Sequence, residues 1–161
     1  RGELHFPGWL HHMEPRGDRL FALGLDAESM LGLTVSLFDV SDLDAPVMLD
    51  RVHFGTTWGE LPEDQDRIHK AFRILPELEM VLMPFAGWFN ASGGAAGVYQ
   101  SGVQIIDFTR DDLVLRGVAP HRGMARRAFV HRARLFAMSD ERVEAFDFFD
   151  RDRPMRISGV L

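Results

Sequence analysis

The chain is built from near-copies of one short module. The stretch from Leu33 to Phe54, LTVSLFDVSDLDAPVMLDRVHF, reads as strand, tight turn and strand, and two later segments follow the same plan. Each copy opens on a short apolar strand: Leu20-Phe21-Ala22-Leu23, Met80-Val81-Leu82-Met83 and Leu135-Phe136-Ala137-Met138. A second strand then closes on apolar-Asp-apolar, at Phe38-Asp39-Val40, Ile106-Asp107-Phe108 and Phe146-Asp147-Phe148. Polar turns follow at Ser41-Asp42, Thr109-Arg110-Asp111 and Asp150-Arg151-Asp152, and third strands run over Val47–Val52, Leu113–Val118 and Met155–Val160. Arg-Leu-Phe-Ala occurs word for word at Arg19 and again at Arg134. A unit this small cannot bury its own apolar faces and must stack on its neighbours.

Upstream of each first strand lies another candidate strand: His11-His12-Met13, Ile68–Ile74 and Arg127–His131. Each unit then holds four strands, A to D. Pro46 and Pro154 sit just before strand D, where no ladder donor is needed. The spacing of the repeated aspartates is uneven because of two insertions, Gly55 to Arg67 and Pro84 to Gly102, both read as loops from their Gly, Pro and acidic residues. Without them the units approach the about 40–50 residues of a propeller blade. Runs such as Met80–Met83 are apolar on both faces, as a sheet wedged between two others requires. The expected fold is all-β, a β-propeller fragment of about three four-stranded antiparallel blades, in preference to a β-sandwich of short strands. The blades fall roughly at 10–54, 68–119 and 126–161 of a single domain spanning 1–161. Arg1-Gly2 resembles Arg116-Gly117, and Gly159 sits similarly, so residues 1–7 are expected to end a preceding blade. A closed ring needs at least four blades, so the remaining blades of the same polypeptide are expected partners.

At a net charge of −6 the chain is not expected to bind nucleic acid, since phosphate recognition needs clustered Lys and Arg. Arg122, Arg126, Arg127, Arg132 and Arg134 do cluster, but Asp140, Glu141 and Glu144 follow, and the group reads as a solvated face. The 161 residues include no cysteine, which excludes disulfides, thiol nucleophiles and thiolate metal sites. No apolar run is long enough to span a bilayer. No secretory leader is visible, and the sequence begins at Arg1 rather than Met.

Several of these stretches resemble a known family, the secreted β-propeller domains of bacteria and archaea, distantly related to WD-40 repeats. The carriers are Gly32 to Asp42 with Pro46, Asp66-Arg67-Ile68-His69-Lys70-Ala71-Phe72, and Arg134 to Asp140, which is similar to the family's closing blade. The resemblance implies an extracytoplasmic propeller, often tethered to a membrane, without a defined activity.

Strand direction places the chemistry. In an antiparallel four-strand blade the B–C and D–A connections leave at one end, and the two insertions are of those types. Trp9, Trp58 and Trp88 fall in such connections, as do Phe89, Asn90 and Tyr99. Exposed aromatics on loops commonly anchor ligands, so Trp58, Trp88, Phe89 and Tyr99 are the candidate binding residues for a protein or a glycan. Glu60, Glu63, Asp64 and Asp66 crowd the first insertion with His69 just after, and His11, His12 and His121 occupy matching places. His69, His12 and Asp66 could hold a divalent metal such as Zn²⁺, and the acidic loop could hold Ca²⁺. The favoured alternative ties His69 to Asp66 in a buried hydrogen-bond network between blades. Asp39, Asp107 and Asp147 recur once per unit and read as turn caps rather than catalysts. Ser92-Gly93-Gly94 lacks the context of a phosphate loop, and no Gly-x-Ser-x-Gly elbow occurs. The expected function is a binding or scaffold domain without catalysis and without a cofactor. A metal-dependent hydrolase with a His/Asp site near the propeller axis is the alternative, and a plain spacer domain is the third reading.

Overall fold

The structure is a computed structural model and describes residues 2–3, 7–28, 32–55, 60–62, 67–89 and 98–159. Among the described residues, twelve strands form three four-stranded antiparallel sheets, each wound in simple meander order. The first holds β1 (Trp9–Arg16), β2 (Arg19–Asp26), β3 (Gly32–Asp39) and β4 (Val47–Phe54). The second holds β5 (Arg73–Leu75), β6 (Met80–Phe89), β7 (Val98–Phe108) and β8 (Leu113–Pro120). The third holds β9 (Arg127–His131), β10 (Arg134–Met138), β11 (Val143–Asp147) and β12 (Met155–Gly159). These are the blades of a propeller fragment, as the repeated module requires. No helix among the described residues is long and apolar enough to cross a membrane.

Strand alternation divides the core into two slabs. Phe21, Leu23, Val35 and Leu37 of the first sheet pack against Ile74, Val81, Met83, Phe85 and Ile106 of the second. The other side chains of the same second-sheet strands, Met80, Leu82, Val103 and Ile105, pack against Ala128, Leu135, Ala137 and Phe146 of the third. The middle sheet is thus buried on both faces, which accounts for the uninterrupted apolar run at Met80–Met83.

Two elements differ from the sequence reading. Ile68–Ile74 is not one strand. A 3₁₀ turn spans Ile68–Lys70, and strand A of this blade is only Arg73–Leu75. The buried residues are Ile68, Ala71 and Phe72, a helical i, i+3, i+4 spacing with the consecutive polar residues His69 and Lys70 on the outer side. The second correction is the stretch from Pro84 to Gly102. It is largely hairpin: β6 and β7 stay paired from Met80↔Asp107 out to Phe89↔Val98, with Pro84 opposite Val103. Trp88 lies within β6 and Trp9 opens β1, so neither is a loop residue.

Register also shifts the internal alignment. Leu20 pairs with Phe38 and Leu135 with Phe146, whereas in the middle sheet Met80 pairs with Asp107 itself. Met80 therefore stands where Arg19 and Arg134 stand. Gly2 and Gly117 do make the same contact. The Gly2 amide donates to Leu43 O at 3.1 Å and the Gly117 amide to Arg151 O at 3.0 Å. A Cβ at either would lie 2.3 or 2.2 Å from the next carbonyl, of Asp44 or Asp152, so no larger residue fits without moving the turn. In the third sheet it is Ser158, opposite Ala145, that holds this register, with Gly159 one position on.

Candidate functional site

The two ends of the sheets differ in character. One carries the tight C–D and A–B turns. The other carries the B–C and D–A connections, and there the two insertions meet. Glu60, in the D–A insertion, pairs as an isolated antiparallel bridge with Ala86 of β6, Glu60 N to Ala86 O at 2.7 Å and Ala86 N to Glu60 O at 3.1 Å. The hairpin extension of β6–β7 is thereby tied to the neighbouring connection at Glu60. Tyr99 begins this extension on β7, stands opposite Trp88 in register and is 44% exposed. Its hydroxyl donates to Glu60 Oε2 at 3.4 Å. Partial burial, then the nearby Glu60 carboxylate, raises the phenol pKa, so Tyr99 stays a neutral donor. The arrangement is a ledge with an aromatic face, a hydroxyl and a carboxylate within one side chain of each other.

Of the expected binding residues, Trp88 and Phe89 are placed on the outer end of β6, Tyr99 is placed opposite, and Trp58 lies outside the described residues. Trp9 reaches the same end at the start of β1 and is 57% exposed.

Of the expected metal ligands, the structure places His69 and His12. His69 is exposed on the 3₁₀ turn, while His12 is half-buried on β1 with its ring edge-on to Phe72 at 5.7 Å. His12 Nε2 lies 3.8 Å from Glu14 Oε2. Asp66 lies outside the described residues, and among those described no group of three His, Asp or Glu could hold a metal ion. The exposure of His69 also removes it from the buried network proposed for it. Such a pair exists one blade later. His121, at the exit of β8, is fully buried with Nδ1 2.8 Å from Oε2 of Glu144 on β11. Glu144 Oε1 in turn lies 3.3 Å from Arg156 Nη2. Glu144 is therefore no part of a solvated face. Desolvation lowers the His121 pKa despite the carboxylate beside it. The missed signal was positional: Ser36, Gln104 and Glu144 each stand three residues before the repeated aspartate, and all three are buried polar side chains.

The repeated aspartates mostly cap turns. Asp39 Oδ1 accepts the Ser41 amide at 2.8 Å, and Asp147 Oδ1 accepts the Phe149 amide at 2.9 Å. Hydrogen bonds from Ser41, with smaller help from Arg19, hold the Asp39 carboxyl below its usual range. Asp107 differs: its carboxylate is taken by Arg116 Nε at 2.8 Å and by Arg151, and the Asp107 bond raises the Arg116 pKa.

Comparison with known proteins agrees with this architecture. A search of curated proteins returned no match. The family model described as the beta propeller domain matches residues 1–150. With nearly the whole chain covered, and three meander sheets stacked face to face, the chain belongs to the beta propeller domain family.

Proposed function

We propose that this propeller is an extracytoplasmic binding scaffold that takes a glycan or a protein on the ledge built by its two insertions. The supporting observation is the bridge between Glu60 and Ala86, which joins two separate connections into one surface beside the exposed Tyr99. An extension that pairs its backbone along a strand of the sheet gives contact residues a rigid support. Aromatic faces stack on the apolar faces of sugars or take peptide side chains, while Glu60 and the Tyr99 hydroxyl supply an acceptor and a donor. Trp58, Trp88, Phe89 and Tyr99 are the proposed contacts.

Fluorescence titration of the purified protein against a panel of oligosaccharides and proline- or aromatic-rich peptides tests this. Trp88→Ala with Tyr99→Ala should abolish any saturable signal while circular dichroism and the urea midpoint stay close to wild type. Full retention of binding in the double variant, or unfolding of it, would show the aromatics to be scaffold.

A further inference from the structure

The turn face carries a repeated socket. In the first sheet, Arg19 Nε donates to the Arg110 carbonyl at 2.8 Å, and its Nη2 lies 2.6 Å from Asp111 Oδ1. Arg110 returns the contact through Nη2, 2.6 Å from Asp18 Oδ2. In the second sheet, Arg151 pairs with Asp107 and donates from Nη2 to the Leu78 carbonyl at 3.1 Å, while Arg116 Nη1 lies 3.3 Å from Asp152 Oδ2. Both times the plug is an Arg-Asp dipeptide in the C–D turn of the following sheet. Its arginine meets a carboxylate of the receiving sheet, and its aspartate meets a guanidinium.

The third sheet has the receiving half of this device. Arg134 stands at the register of Arg19, within the same Arg-Leu-Phe-Ala word, and lies 3.3 Å from Asp147 as Arg19 lies 2.9 Å from Asp39. Both line a cleft of about 480 Å³ with Ala133, Phe148, Phe149 and Arg151. The Arg19 side chain is 9% exposed beneath its plug, whereas that of Arg134 is 44% exposed and Phe149 is 99% exposed. The sheet face beside the cleft is apolar. Phe136, at the register of the buried Phe21, is half-exposed and stacked on Phe129 at 5.0 Å, and Met155 and Ile157 stand out in solvent on β12.

We propose that this face seats a further propeller blade whose C–D turn carries an Arg-Asp dipeptide, the aspartate on Arg134 and the arginine on Asp147. The match rests on two filled interfaces that take the same dipeptide, the first supplying the precedent for aspartate on Arg19 and the second that for arginine on Asp107, and on charge complementarity at both partners. A second copy of this chain docking head to tail would offer the turn Ser41–Ala45 instead. That turn has no arginine, and its Leu43 carbonyl already accepts the Gly2 amide.

The chain contains no cysteine, so single cysteines report their own site. Phe149→Cys, Ile157→Cys and Val114→Cys are introduced separately into the protein expressed from its complete reading frame, and maleimide labelling is timed. Val114 is an exposed reference on the already flanked second sheet. Cysteines at 149 and 157 should label at least about tenfold more slowly than the reference, in a particle that light scattering shows to be monomeric. Arg134→Glu should bring both to the reference rate, and exchanging the incoming aspartate for arginine in that background should restore protection. Where Arg134→Glu does not fold, Arg134→Gln reads the same way. Labelling at the reference rate, protection confined to dimers or larger species, protection indifferent to Arg134, or a following C–D turn without Arg-Asp would each overturn the proposal.

Discussion

His121 and Glu144 show what burial does to a pair of polar side chains. Glu144 is 1% exposed and is shared by His121 and Arg156, so it cannot be removed without leaving donors behind in a dry junction. Glu144→Ala should cost about 2 kcal/mol, read as a lowered urea midpoint. The histidine adds a pH dependence. Its folded pKa lies below the unfolded value of about 6.5 because burial disfavours the imidazolium. The unfolded chain therefore takes up the proton first. The associated stability is intact above about pH 6.5 and is lost as pH falls through the folded value. Glu144 opposes this shift, while Arg142 and Arg156 reinforce it. Urea midpoints between pH 8 and pH 5 should fall for the wild type and fall less for His121→Gln; parallel curves would remove His121 as the source. None of this was visible in composition. A run of arginines and acids looks solvated, and only the phase of β11 reveals that Glu144 alternates inward beside Phe146.

The turns and hairpins follow rules of a longer reach. The strand blocks were legible because apolar runs bounded by Asp, Ser and Pro leave few alternatives. The length of the β6–β7 hairpin was not, because Pro84, opposite Val103, reads like a loop residue. The meeting of the two insertions was legible, since antiparallel winding alone sends B–C and D–A connections to one end, and Glu60 does pair with Ala86 there. The junction between second and third sheets depends on another backbone contact, the approach of Gly117 to the turn at Asp152. Gly117→Ala would force a methyl against a carbonyl oxygen and should cost about 2 kcal/mol. Hydrogen exchange should then quicken in β12 and its turn, with β1–β4 unchanged. An unaltered urea midpoint would mean that the turn has room to retreat.

Across the chain, stability is divided between two junctions that share one sheet. Neighbouring residues of β6 point into different slabs: Met83 into the core with the first sheet, Leu82 into the core with the third. In a stack of units that touch only their neighbours, stability is close to a sum of units and interfaces. Cutting one interface should then loosen one end. Met83→Ala and Leu82→Ala each remove a fully buried side chain and should each cost about 2–5 kcal/mol, the range for large-to-small changes in a core. Their signatures should differ although the residues are adjacent in sequence. Met83→Ala should speed hydrogen exchange in β1–β4 and leave β9–β12 near wild type, and Leu82→Ala should do the reverse. Equal acceleration of every strand in both variants would show that the three sheets open as a single cooperative unit, and that the shared middle sheet transmits damage from either face to the other.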